Sequence, residues 1–157
     1  MPSDNEHCKV CHISKQKRLP FHTAVHFADL PFDLIHCDIW GPYHVPTIDQ
    51  QRYFLIIVDD CTRCTWVFLM KQKSETSPLI QSFFALIKTQ FSVSIKMVRS
   101  DNGPEFNMHS FYAQHGTLHQ KSCVGTPQQN ATVERKHQHL LMVARALRFQ
   151  ANLPLPF

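Results

Sequence analysis

The chain changes its hydrophobic pattern once, and this change restricts the folds that it can adopt. Its first part contains three short apolar runs rich in β-branched and aromatic residues, at 32–40, 52–59 and 64–70, each bounded by turn-forming residues. From residue 74 onward, helical and strand-like patterns alternate. This order predicts three antiparallel strands followed by helix and strand units, as in an α/β domain with a mixed sheet.

The second part is predicted to contain five elements. They are a helix over 74–91, a strand over 94–101, a short helix over 106–115, a strand over 118–124 and a helix from 126 to about 150. The last helix carries an apolar stripe that should face the sheet. Its members are Val133, Leu140, Leu141, Ala144 and Leu147.

Length and charge restrict the partners of the chain. Its 157 residues are enough for one domain with a proper core, and the net charge is +4. From residue 76 onward, eight bases and three acids give this part a net charge of +5 (8 − 3 = 5). Such a surface suits a polyanion, and a mildly basic protein without a nucleic-acid partner stays open as the alternative.

The six cysteines do not form the pattern of a secreted disulfide scaffold. We find no signal-peptide pattern and no apolar run long enough to span a bilayer, so we expect an intracellular protein without a membrane partner. Residues 1–30 form a basic head rich in His and Lys that contains Cys8 and Cys11, and residues 31–157 follow as the globular part.

Three acidic residues stand where a structural role explains them poorly. Asp38 interrupts a strand-like apolar run, Asp101 ends another strand immediately before a turn, and Glu134 lies in the first turns of the last helix. A carboxylate in a sheet is costly unless it is paired or binds a cation. If the first and fourth strands are neighbours, the three acids can converge and bind hard divalent ions, which is the chemistry of metal-assisted phosphoryl transfer on nucleic acid.

Several short motifs follow one another along the chain. They are His-Cys-Asp-Ile-Trp-Gly (36–41), Val-Asp-Asp (58–60), Thr-Arg (62–63), Thr-Trp-Val (65–67), Ser-Asp-Asn-Gly-Pro-Glu-Phe (100–106), Gly-Thr-Pro-Gln-Gln-Asn (125–130) and Val-Glu-Arg-Lys-His (133–137). In this order they resemble the integrase core of copia-type LTR retrotransposons, a member of the retroviral-integrase-like D,D-E superfamily. Cys-Lys-Val-Cys (8–11) resembles the end of the zinc-binding head of that family.

The resemblance implies a ribonuclease-H-like fold, a mixed five-stranded sheet with flanking helices. It implies that Asp38, Asp101 and Glu134 are the catalytic residues and bind Mg²⁺ or Mn²⁺. The activity of the family is to trim the ends of element DNA and to join them to target DNA. Its members act as multimers, and DNA integration implies the nucleus as the compartment.

The same resemblance suggests residues that contact nucleic acid. Polar and basic groups flank Glu134 in sequence and could bind bases, sugars or phosphates. They are Gln128, Gln129, Asn130, Arg135, Lys136 and His139. Cys8 and Cys11 have the spacing of half a zinc site, which is incomplete here because the upstream His pair of the family is missing.

The chain departs from the family pattern in three respects. Asp101 and Glu134 are 33 positions apart (134 − 101 = 33), closer than the family usually has them, and Ala131 stands where Gly usually follows Asn130. The chain also ends where the family core continues into further helices, so we expect a C-terminally truncated core, a fragment of a decayed element. Two alternatives to a strand transferase therefore stay open: a nucleic-acid-binding remnant without catalysis, and a metal-dependent nuclease of the same fold.

Overall fold

The computed structural model describes residues 28–122 and 131–154, and in these two stretches the chain forms five strands and three α-helices. In chain order they are β1 (Ile35–Trp40), β2 (Tyr53–Asp59), β3 (Thr65–Met70), α1 (Thr76–Phe91), β4 (Met97–Ser100), α2 (His109–Gln114), β5 (Leu118–Lys121) and α3 (Ala131–Gln150). Single turns of 3-10 helix precede α1 and α2, at Lys73–Glu75 and Pro104–Phe106. The predicted order of elements is confirmed.

The five strands form one mixed sheet in the order β3-β2-β1-β4-β5. The first three strands are joined by short connections and pair antiparallel. β4 pairs in parallel with β1, and β5 pairs in parallel with β4. The connections that permit this pairing contain helices: α1 lies between β3 and β4 in the chain, and α2 lies between β4 and β5. The predicted five-stranded mixed sheet, with the first and fourth strands side by side, is confirmed.

The strands bury different side chains on the two faces of the sheet. On one face, Ile35 and Cys37 of β1 join a large core that includes Phe83 of α1 and Tyr112 of α2. On the other face, a smaller core forms beneath α3 from Phe54, Ile56, Val58 and Val133, with Trp40 packed against it. Successive side chains of a strand alternate between faces, so Asp38 belongs to the α3 face.

The apolar stripe predicted for α3 is only half correct. Val133 is fully buried and Leu140 and Leu141 are partly buried, whereas Ala144 and Leu147 are exposed, the latter by 58%. A helix of 20 residues is about 30 Å long, but strands of six or seven residues extend only about 20 Å. The second half of α3 therefore extends past the part of the sheet that its first half covers.

Several predictions concern residues outside the described ranges. Cys8 and Cys11 lie there, with nearly all of the predicted basic head, and so do Gln128, Gln129 and Asn130. Among the described cysteines, Cys37 is completely buried. Within the described ranges, none of the helices combines the length and the apolar character that a transmembrane span requires.

Candidate active site

Asp38 lies in β1, opposite Ile56 of β2, and its side chain is 16% exposed on the face that α3 covers. Burial raises the pKa of its carboxyl group to about 7, and the charge of Asp101 adds to the increase. The backbone N–H of Ile39 donates a hydrogen bond that lowers the pKa in part, and Glu134 raises it again. Asp38 is therefore a carboxyl group whose negative charge is poorly compensated by the protein.

Asp101 is brought beside Asp38 by the register of the two parallel strands. Ile35 is opposite Val98 and His36 is opposite Arg99, and the same offset of 63 positions (98 − 35 = 63), continued two residues past the last pair, leads from Asp38 to Asp101. The parity is the same, and the two aspartates therefore belong to the same face of the sheet. β4 ends at Ser100, which leaves the Asp101 side chain at the end of the strand.

The turn after Asp101 depends on a glycine. The backbone N–H of Gly103 donates a 2.9 Å hydrogen bond to Oδ1 of Asp101. A β-carbon at position 103 would lie 2.9 Å from this oxygen and 2.6 Å from Oε2 of Glu105. Because both distances are shorter than a normal contact, Gly103 allows two carboxylates to approach the same turn.

Glu134 is placed by the residue that precedes it. Val133 is fully buried against β2, and Glu134, the next residue of α3, is exposed. The negative charge of Glu134 nevertheless adds to the increase in the pKa of Asp38. Within residues 28–122 and 131–154, no three His, Cys, Asp or Glu side chains approach one another closely enough to hold a metal ion.

His137 is a neighbour of Asp38 that our sequence analysis missed. Its Nδ1 is 3.3 Å from Oδ2 of Asp38, its ring packs edge-on against Phe54 at 5.2 Å, and its Nε2 has no hydrogen-bond partner among the described residues. Burial lowers the pKa of His137 to about 4, so its imidazole is neutral near pH 7. The spacing of four residues from Val133 places His137 on the buried stripe, a signal that could have identified it.

Lys73 brings a positive charge to the same region. Its Nζ is 3.3 Å from Oε1 of Glu105, and its charge lowers the pKa of Asp38. The ion pair links the turn after Asp101 to the 3-10 turn that precedes α1. The two residues are 32 positions apart (105 − 73 = 32), and nothing in the sequence pattern links them.

Asp59 and Asp60, at the end of β2, are buried acids of a different kind. Oδ1 of Asp59 accepts a hydrogen bond from the backbone N–H of Phe32, and its Oδ2 accepts bonds from the N–H and hydroxyl of Thr62. Asp60 accepts a hydrogen bond from the N–H of Ala28 and contacts His36 at 2.9 Å. Burial by itself would raise the pKa of Asp60, but these hydrogen bonds and the charges of His36 and Arg63 lower it.

The basic residues that follow Glu134 on α3 are accessible in different degrees. Arg135 and His139 are exposed, and Lys136 is half-buried. All three lie within the first three turns of α3, the part of the helix that is next to Asp38. The three side chains therefore lie on the same half of α3 as Glu134 and His137.

A search of protein families matches residues 28–127 to the integrase core domain. The chain is 32% identical over 153 residues to the retrovirus-related Pol polyprotein from transposon TNT 1-94 of Nicotiana tabacum, and 34% identical over 148 residues to that from transposon RE2 of Arabidopsis thaliana. The alignments cover 96% and 94% of this chain but only 12% and 10% of the relatives. The chain thus corresponds to about a tenth of the length of these polyproteins.

A solved structure supports the fold. A chain of the cryo-EM structure of the simian T-cell lymphotropic virus intasome, in complex with PP2A regulatory subunit B56 gamma, superposes with a TM-score of 0.64. The superposition covers 83% of this chain and 46% of that chain at 19% identity. The mixed sheet with its flanking helices is the ribonuclease-H-like fold, and the resemblance to the integrase core of copia-type retrotransposons is confirmed. The chain belongs to the integrase core domain family.

Proposed function

We propose that the chain is the catalytic core of a metal-dependent DNA strand transferase, in which Asp38, Asp101 and Glu134 bind the metal ions. The observation that carries the proposal is the register of β1 and β4. Continued two residues past its last pair, this register supports a position of Asp101 next to Asp38, and the charge of Glu134 raises the pKa of Asp38. The integrase core family of the chain agrees with this assignment.

The charge of the three acids fits a divalent cation such as Mg²⁺ or Mn²⁺. Burial and the charges of Asp101 and Glu134 raise the pKa of Asp38 to about 7. A bound cation would offset the repulsion among these three carboxylates. Carboxylate oxygens are the ligands that these hard ions prefer. When bound, such ions stabilise charge on the reacting phosphate and activate an oxygen nucleophile.

The residues around the acids have supporting roles in the proposal. His137 holds the Asp38 carboxyl group through the 3.3 Å contact of its Nδ1, and Gly103 keeps the turn after Asp101 open. The groups that bind the DNA backbone next to the acids are then Arg135, Lys136 and His139, together with Gln128, Gln129 and Asn130 from the segment before α3. In the proposal, the substrates of the enzyme are the ends of the element DNA and the target DNA. A multimer of the chain binds them in the nucleus.

Two parts of the chain stay as predictions. Residues 1–30 are assigned to a basic head and residues 31–157 to the integrase catalytic core. Cys8 and Cys11 have the spacing of two zinc ligands, and a tetrahedral site takes two more.

The experiment is a cleavage and strand-transfer assay on duplex oligonucleotides with magnesium or manganese. We expect Asp101→Asn and Glu134→Gln to lower both activities at least about a hundredfold, because metal ions contribute several kcal/mol of charge stabilisation. Asp33→Asn is the matched control, since Asp33 pairs with Lys96 before β1 begins, away from the three acids. Identical signals from all four proteins would contradict the proposal.

One observation favours a second candidate, a nucleic-acid-binding protein without catalysis. Among the described residues, the acids do not form a group that is closed around a metal position. This candidate predicts DNA binding that depends on salt and is indifferent to Asp38→Asn, without products in the assay. Nicked products without joined products would instead identify a metal-dependent nuclease of the same fold.

A further inference from the structure

A groove of about 190 Å³ lies on the α3 face, next to the candidate active site. One wall is the second half of α3, with Arg145 and Arg148. The opposite wall is the 41–52 connection between β1 and β2, and the floor contains Trp40 at the end of β1. The groove exists because α3 continues past the edge of the smaller core.

Aromatic rings form a continuous path from the acids into this groove. His137, which contacts Asp38, packs against Phe54 at 5.2 Å, and Phe54 stacks on Trp40 at 5.5 Å. Trp40 in turn packs against Tyr43 at 5.7 Å. Trp40 and Tyr43 are only half-buried, so their rings offer apolar surface to a ligand. Trp40 follows Asp38 by two residues on the same face of β1, a distance of about 7 Å.

The other groups of the groove are basic. Arg145 and Arg148 are one helical turn apart on α3, and Arg52 lies on the opposite wall, where its Nε donates a 3.0 Å hydrogen bond to the carbonyl of Tyr43. No Asp or Glu is among the residues that line the groove. Within the described parts of the chain, none of these three arginines forms a salt bridge with an acid.

We propose that this groove binds an unpaired nucleobase of a single-stranded DNA segment, with the base on Trp40 and Tyr43 and the adjoining phosphates on Arg145 and Arg148. Aromatic surfaces bind bases of any sequence by stacking, and arginines bind the phosphates between them. A base within a duplex is stacked on its neighbours and cannot lie on these rings without leaving the helix. The choice of DNA as the nucleic acid rests on the proposed function, whereas the preference for an unpaired base rests on the groove itself.

The test compares two fluorescent DNA duplexes that differ only in a short single-stranded overhang. Binding is measured by fluorescence anisotropy on the full chain in EDTA, so that it does not depend on the metal or on catalysis. We expect the overhang to increase affinity roughly tenfold, the size of one base–aromatic stack, and Tyr43→Leu to abolish this increase while blunt duplex binds as before. Circular dichroism and thermal unfolding of the variant establish that it folds.

A second variant examines the basic wall. Arg145→Gln should weaken binding of the overhang duplex and reduce the salt dependence of its log K by about 0.7 to 0.9, the value for one lost phosphate contact. Lys88→Gln is the matched control, because Lys88 is an exposed base on α1, on the other face of the sheet. It should change neither affinity.

Three results would overturn the inference. They are equal affinities of the unsubstituted protein for both duplexes, a folded Tyr43→Leu protein that keeps the preference, and self-association that Tyr43→Leu abolishes, which would assign the groove to a second copy of the chain. The outcome is independent of the catalytic proposal: Asp101→Asn should keep the overhang preference. A protein that is inactive in the cleavage assay can therefore still support or contradict the proposal that the groove binds an unpaired base.

Discussion

The acids at the end of β2 and the acid in the neighbouring strand β1 differ in how many hydrogen-bond donors surround their carboxylates. Asp59 and Asp60 are buried at the end of β2 and accept hydrogen bonds from backbone N–H groups, a hydroxyl and His36. Asp38 is largely but not fully buried in β1, where Asp101 and Glu134 add negative charge and the backbone N–H of Ile39 donates one hydrogen bond. The pKa of Asp60 is lowered, whereas that of Asp38 is raised to about 7.

The difference separates a structural role from a candidate catalytic one. Asp59 and Asp60 fix the 28–32 segment to the β2–β3 turn, because their oxygens satisfy donors that would otherwise be buried without a partner. The carboxylate of Asp38 accepts a hydrogen bond from the backbone N–H of Ile39, and the charges of Asp101 and Glu134 destabilise its ionised form. Burial alone therefore does not distinguish the two groups of acids, whereas the supply of hydrogen-bond donors around each carboxylate does.

The largest effect on stability should come from the compensated group. Asp59→Ala removes the acceptor of the Phe32 and Thr62 backbone N–H groups, and we expect the free energy of unfolding to fall by about 3 kcal/mol. Urea unfolding measures the change. Asp49→Ala is the control, since Asp49 is exposed in the 41–52 connection and should change stability by less than about 0.5 kcal/mol. A loss below about 1 kcal/mol for Asp59→Ala would contradict the structural role that its hydrogen bonds indicate.

Asp38→Asn should have the opposite sign. Because the folded-state pKa of Asp38 is above its ordinary value, the folded chain retains a proton that the unfolded chain releases, and ionised Asp38 lowers stability as the pH rises from about 4 to 7. In EDTA the variant should therefore gain about 2 kcal/mol of unfolding free energy at pH 8 and little at pH 4.

The control for this sign is Asp60→Asn. Asp60 has a lowered pKa, so its contribution to stability is present above the unfolded-state pKa and is lost as the pH falls through the folded-state pKa. We expect Asp60→Asn to destabilise the chain at neutral pH. A decrease of stability for Asp38→Asn at pH 8 would show that this carboxyl group is compensated after all.

The smallest effect on stability should come from Glu134→Gln. Glu134 is exposed, so its substitution should change the free energy of unfolding by less than about 0.5 kcal/mol without metal. Magnesium should raise the unfolding temperature of the unsubstituted chain, because a ligand that binds only the folded state stabilises it, and this increase should disappear in the variant. Asp49→Asn should keep the full increase. An unchanged magnesium response in Glu134→Gln would remove this residue from the proposed site.

The sequence predicted the sheet well because its strands carry strong local signals. The alternation of apolar residues and the adjacency of β1 and β4 are confirmed, and with them the family and its fold. The second half of the α3 stripe was wrong, since a helical pattern says nothing about where the opposing sheet ends. Ala144 and Leu147 follow the period of a buried face but are exposed.

The candidate site was only partly accessible to the same reasoning. Asp38, Asp101 and Glu134 were identifiable because a carboxylate is unusual in such positions, and their roles stay predictions. The ion pair of Lys73 with Glu105 was not identifiable, because it is formed by two distant turns that meet only in the fold. The buried position of His137 could have been predicted, since its helical spacing from Val133 places both residues on one face of α3.

The spacing between the two aspartates is set by backbone pairing, and this has a consequence for insertions and deletions. Residues added to the 41–52 connection leave the ladder between β1 and β4 intact, and the carboxyl groups keep their separation. One residue gained or lost within β4 before Asp101 would turn that side chain toward α1. Length variation among related chains should therefore be common in the first region and nearly absent from the second.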